Sequence, residues 1–170
     1  MNCVPLKNVR VLGLAPSSRG IGFALMEGKN TLVDWGVKSV KGEKNLRSLS
    51  KVADLITLYE PNVIALEDTR SQGSRRCSRI QALFQEIVAL AEGENIKVRR
   101  FSRKQIRFEH FTEAPATKYA MAESLAARFP EELGFRLPRK RRLWTSEDPR
   151  MDMFDAVALA EHFLRSKAKG

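Results

Sequence analysis

The chain has 170 residues, and its 30 Lys and Arg against 20 Asp and Glu give a formal net charge of +10. That length suits one domain, 1–170, and with 43% hydrophobic residues there is material for a core, which excludes a disordered basic tail. Apolar runs too short for a bilayer, no secretion signal in Met1 to Arg10, and only Cys3 and Cys77 for disulfides set the expectation: a soluble, cytoplasmic, nucleoid-associated protein without membrane contact.

In chain order, Val9 to Leu14 (VRVLGL) reads as a strand buried on both faces. Pro16 to Gly20 supplies a turn, Ile21 to Met26 the returning strand, and Gly28-Lys29-Asn30 a second turn into a strand over Thr31 to Val40. Tight turns between three strands predict an antiparallel meander. From Lys44 to Tyr59, apolar residues recur at three and four, which predicts a helix ended by Pro61. Val63 to Leu66 (VIAL) is a short strand closing on Glu67 and Asp68. Ile80, Leu83, Phe84, Ile87, Leu90 and Ala91 mark a second helix, stopped by Gly93, and Ile96 to Phe101 a weaker strand. Ala122, Leu125, Ala126 and Phe129 mark a third helix ended by Pro130. Pro138 to Pro149 reads as an irregular basic connection, and Arg150 to Lys167 as a final helix. The order βββ-α-β-α-β-α-α describes one α/β domain, a mixed sheet flanked by helices.

The positive charge falls in clusters: Arg70, Arg75, Arg76 and Arg79; Lys97 to Arg107; and Arg136, Arg139, Lys140, Arg141 and Arg142. Arg outnumbers Lys in them, and its planar fork suits phosphate oxygens. No amphipathic basic helix carries these charges, so nucleic acid is the expected partner rather than a membrane surface. Trp144 beside Arg139 to Arg142 offers either a stacking surface for a splayed base or a side chain packed on the body.

Against that background, carboxylates in apolar settings are informative. Glu67 ends VIAL, and ligands of open α/β sheets bind at strand C-terminal ends, although a surface strand-end role fits it equally. Asp152 and Asp155, three apart, share a helix face with Ala156, Leu159 and Phe163; they also suit a helix N-terminus. Taken together, three carboxylates from two separate segments form a candidate divalent-cation site, and hard oxygens with few histidines indicate Mg²⁺ or Mn²⁺ over zinc. His110 and His162 have no ligand-spaced partner and read as surface or core residues.

The segments VLGLAPSSRGIGFAL, VIALED and MDMFDAVALA resemble, in order and spacing, the active-site motifs of the RuvC-like Holliday junction resolvase family, within the RNase H-like nuclease superfamily. The resemblance covers nearly the whole chain. It implies an RNase H-like fold with a five-stranded mixed sheet (a three-stranded antiparallel meander plus two parallel strands). It also implies a metal-dependent, structure-selective DNA endonuclease of DNA recombination and repair, acting on branched, four-way DNA as a homodimer. Two Mg²⁺ ions would be held by a first-strand Asp, by Glu67, and by Asp152 and Asp155 on the last helix. Ala15 stands where the resemblance implies that Asp, so this form is expected to be impaired or inactive, whether the alanine is native or introduced. Asp34, Asp68 and Asp148 are candidates to compensate, Asp148 foremost because it lies one helical turn before Asp152.

Two divalent ions about 4 Å apart would supply the water nucleophile, neutralise the phosphate and stabilise the leaving oxygen. Lys118 resembles a family lysine that supports DNA binding or the scissile phosphate; a solvated helix lysine is the alternative. Arg70, Arg75, Arg76 and Arg79 occupy the loop that family members lay against the junction, where an aromatic residue can wedge between bases. No Phe, Tyr or Trp lies between Asp68 and Arg79, so the carry-over is confined to phosphate contacts. The competing function is a catalytically dead nucleic-acid-binding protein of the same fold. An actin-like ATPase, suggested by PSSRG after a strand, needs two lobes and many more residues.

Overall fold

The structure, a computed structural model, describes residues 5–71, 75–110 and 117–169, with the backbone alone for 108–110. β1 (Arg10–Pro16), β2 (Gly20–Glu27) and β3 (Thr31–Ser39) form the expected meander, with Ala15 opposite Gly22 across the first hairpin. β4 (Val63–Glu67) pairs parallel with β1, and β5 (Lys97–Phe101) pairs parallel with β4. The sheet order is β3-β2-β1-β4-β5.

β1 and β4 are apolar on both sides because helices cover both faces of the sheet. Leu12, Leu14, Ile64 and Leu66 pack with α1 (Lys44–Tyr59) and α2 (Ser78–Gly93). Val11, Ala15, Val63 and Ala65 point the other way, toward α4 (Lys118–Arg128) and α6 (Met151–Ala168). α3 (Arg103–His110) and the single-turn α5 (Pro130–Leu133) complete that second side. Each fully buried Leu or Phe contributes about 1.5–3 kcal/mol, so both layers add to stability.

Glycine sets how closely α6 approaches. A Cβ on Gly13 would lie 2.0 Å from the Ala156 carbonyl oxygen, and one on Gly22 would lie 2.2 Å from that of Asp152. The helix backbone therefore rests directly on β1 and β2, and its first turns sit over their adjoining ends.

Several local expectations are corrected. α3 lies where the sequence reading assigned no element: RKQIRFEH carries few apolar residues, but Ser102 and Gln105 close a reciprocal cap, the Ser102 amide donating to Gln105 Oε1 (2.8 Å) and the Gln105 amide to Ser102 Oγ (3.1 Å). Pro130 does not merely end a helix; α4 stops at Arg128, and Pro130 opens α5 at the position where a missing N–H costs nothing. Gly93 is still helical, and the reversal after α2 falls to Asn95 at φ 58°. The α2 stripe of Ile80, Leu83, Phe84, Ile87 and Ala91 is buried against its own sheet. Cys77 is an exposed free thiol, and Cys3 lies outside the described residues. Among the described residues no helix is long and apolar enough to cross a membrane.

Candidate active site

Strand register brings the first two site positions together. Gly13 pairs with Ala65, and two residues further along the parallel strands Ala15 lies one residue before the end of β1 and Glu67 ends β4, both on the face covered by α6. Ala15, Glu67 and Asp155 line one cavity of about 60 Å³. Ile106, Met121, Ala158 and Leu159 give it an apolar wall, and Arg76, Arg103, Arg107 and Lys118 give it a cationic rim.

The carboxylates are held by the chain's own cations. Glu67 is buried, with one oxygen accepting from Arg76 (Nη2 at 2.7 Å, Nε at 3.3 Å) and the other 2.8 Å from Arg103 Nε. Lys118 Nζ lies 2.9 Å from Asp155 Oδ2 and also pairs with Glu147. Burial pushes the Asp155 carboxyl up to about 6, Asp152 and Glu147 add to the rise, and Lys118 opposes it. Burial also raises Asp152, against the hydrogen bond it accepts from Ser17 Oγ at 2.7 Å and the charges of Lys118 and Arg19. Burial alone would lower Lys118, but Asp155 and Glu147 outweigh it and hold the ammonium above its ordinary value.

Other expected residues fall elsewhere. Asp148, the foremost candidate to compensate for Ala15, precedes α6, and both its oxygens are bound by Arg150 (2.8 and 3.0 Å), which holds its carboxyl low. It does not line the cavity. Asp34, paired with Leu25 on the α1 side of the sheet, accepts from the Tyr59 hydroxyl. Burial and that carboxylate push Tyr59 up to about 12. Asp68 accepts the Arg70 amide at 3.0 Å. Of the loop arginines, Arg76 holds Glu67, Arg79 donates to Asn45 Oδ1 at 2.8 Å, and Arg70 and Arg75 are exposed. Arg139, Lys140, Arg141, Arg142 and Trp144 are exposed on the connection into α6, so Trp144 does not pack on the body. His162 is a core residue, edge-on to Phe101 at 4.5 Å; the His110 side chain lies outside the described residues.

The sequence reading did not single out Ser17 or Glu147, and it named Arg103 and Arg107 only within the cationic cluster Lys97 to Arg107, without placing them at the carboxylates, because α3 was not foreseen. Nothing local marks Ser17 or Glu147.

The oxygens at this site are hard, which suits Mg²⁺ or Mn²⁺. Among the described residues, however, no group of three or more His, Cys, Asp or Glu side chains is placed to hold a metal ion, and Ala15 presents a methyl group to the cavity. Magnesium commonly uses one or two carboxylates, completing its shell with water and substrate phosphate. Glu67 and Asp155 fit that smaller demand, and the donor set falls short of a two-ion clamp.

No family model matches the chain, and no curated protein matches it in sequence. Its fold is similar to that of *Thermus thermophilus* RuvC at TM-score 0.67 and 16% identity, covering 95% of this chain and 97% of that one. A yeast mitochondrial Holliday junction resolvase matches at 0.67 and 17%, covering 97% and 82%. A fowlpox virus resolvase, solved with substrate Holliday junction DNA, matches at 0.57 and 14%, covering 94% and 99%. The five-stranded mixed sheet with its flanking helices is thus the RNase H-like fold of these resolvases.

Proposed function

We propose that this chain is a structure-selective DNA endonuclease of resolvase type, a single RNase H-like domain that acts on branched, four-way DNA as a homodimer. The observation that carries the reading is the meeting of Glu67 and Asp155, from separate segments, in one cavity with a cationic rim at the end of β1 and β4. Two of the similar structures, from *T. thermophilus* and fowlpox virus, contain Holliday junction DNA. A two-fold dimer would match the symmetry of a four-way junction and its paired incisions.

Glu67 and Asp155 would hold one Mg²⁺ or Mn²⁺, which would supply Lewis-acid polarisation of the phosphate and an activated water; Asp152, which does not line the cavity, would act through its charge on Asp155. The chain's own groups do the rest. Arg107 on α3 lines the cavity and suits the phosphate oxygens, while Arg103 one turn before it holds Glu67. Lys118 opposes the burial that favours protonated Asp155, and Ser17 fixes the Asp152 carboxylate. The methyl group of Ala15 leaves one ligand position unfilled, so the reading predicts slow incision by this form.

The test is incision of end-labelled four-way junctions with Mg²⁺ or Mn²⁺, comparing the chain with Ala15→Asp. Restoring the carboxylate is expected to raise symmetrically paired nicking on the order of a hundredfold. Tight junction binding with no nicking by Ala15→Asp in either metal would overturn the endonuclease reading and leave a DNA-binding protein.

A further inference from the structure

Between α5 and α6 the chain exposes apolar side chains that the fold does not use. Leu143 is 95% exposed, Trp144 78% and Phe135 70%, the most exposed large apolar residues among those described. An exposed cluster of this kind marks a contact surface more often than a stray Leu does. Here it is interleaved with cations: residues 135–146 read FRLPRKRRLWTS, with no acid, and Arg136, Arg139, Lys140, Arg141 and Arg142 have no ion-pair partner among the described residues. The Arg142 guanidinium lies 5.8 Å from the Trp144 ring, covering part of one face.

The segment is held in place at both ends. The Thr145 amide donates to the Arg142 carbonyl and the Arg142 amide to Thr145 Oγ1, each at 3.1 Å, which puts Leu143 and Trp144 at the tip of a closed turn. Upstream, the Tyr119 hydroxyl on α4 donates to the Pro138 carbonyl at 2.9 Å. Downstream, Glu147 pairs with Lys118 of the cavity rim, and its carbonyl accepts from Arg19. The tip therefore stands three residues from a side chain of the candidate active site.

We propose that the Arg142–Thr145 turn is a base-stacking platform, with the Trp144 ring taking the face of an unpaired nucleotide and Arg139, Lys140 and Arg141 contacting the flanking phosphates. This rests on the DNA substrate of the proposed function. An acid-free stretch fits a polyanion, and an aromatic face backed by a guanidinium fits a nucleobase. An anionic lipid surface shares the charge preference, but it calls for an extended apolar face, and the turn offers two side chains.

The chain has two Trp, so Trp35→Phe leaves Trp144 as the one emitter. Its emission is followed while a four-way junction with unpaired nucleotides at the crossover, a fully paired duplex of the same sequence, or vesicles rich in phosphatidylserine is added. DNA binding is followed in parallel by anisotropy of labelled DNA. Strong quenching by the junction, weak quenching by the duplex, and about tenfold weaker junction binding by Trp144→Ala with partial rescue by Trp144→Tyr are expected. Junction binding with Trp144 emission unmoved, or equal quenching by duplex and junction, overturns the platform while leaving the DNA reading intact. Quenching by vesicles with no binding to either DNA overturns both. Trp144 is exposed, so the Ala variant is expected to retain the circular dichroism of the parent.

Discussion

The cavity beneath α6 and the turn at Arg142–Thr145 are both rich in arginine, yet the two regions use it oppositely. At the cavity, Arg76 and Arg103 lie within 2.7 and 2.8 Å of Glu67, so their charge is largely answered within the chain. At the turn, the cations face solvent with an aromatic ring among them. A net charge of +10 is thus a poor measure of the surface offered to a polyanion. Arg128 and Arg165, both on the buried Glu161, are likewise answered internally. Position in the fold, not abundance, separates arginines that tune a buried acid from those that capture a ligand.

The largest expected effect breaks the cavity side alone. In Gly22→Ala the new Cβ meets the Asp152 backbone at 2.2 Å, and neither β2 nor α6 can yield without moving the carboxylates. Overpacking against main chain is expected to cost about 3 kcal/mol, measured by urea unfolding. At low temperature, where the variant stays folded, incision should be lost and junction affinity largely kept, because the turn is anchored through Tyr119 and Lys118 on α4. Parallel loss of both would show that the regions are not separable.

How far these regions were legible in sequence follows the same division. The strands announced themselves because a sheet covered on both faces demands continuous apolar runs such as VRVLGL and VIAL. Glu67 stood out as the polar residue ending one of them. Asp148 was put forward for the site by counting one helical turn back from Asp152, but the Pro that follows it disfavours helical backbone there, and Arg150 takes its carboxylate. α3 escaped a search for apolar periodicity while displaying a Ser-x-x-Gln cap, so Arg103 stood only as one cation of a cluster. The pairing of Glu67 with Arg103 was not legible at all, because it depends on β4, β5 and α3 meeting in space. Trp144 could be named from sequence, but its exposure could not.

A smaller effect sharpens the contrast through pH. Burial holds Asp155 protonated up to about 6, where the unfolded chain has already lost that proton. The folded state therefore binds the extra proton between the ordinary carboxylate range and about 6, and stability falls as pH rises through that window, then levels. Incision that needs ionised Asp155 should run the opposite way, falling about tenfold per pH unit below about 6. Asp155→Asn is expected to flatten the stability profile between pH 4 and 6. Binding through the turn, whose cations stay charged over this range, should show neither trend; a matching pH dependence of junction affinity would tie the turn to the cavity.

The smallest effect lies at the turn itself. Lys140 is exposed and has no ion-pair partner among the described residues, so Lys140→Ala removes a charge without orphaning another. Releasing one fewer counterion should lower the slope of log affinity against log salt by about 1 and weaken binding a few-fold at moderate salt, equally for junction and duplex. Arg76→Ala should behave differently, because that guanidinium serves Glu67: its removal leaves a buried carboxylate with one partner fewer, and its mark should appear in incision rather than in the salt slope. Equal salt slopes for the two variants would mean that Arg76 leaves Glu67 for phosphate when DNA binds, and the boundary between the two kinds of arginine would then be set by the ligand rather than by the fold.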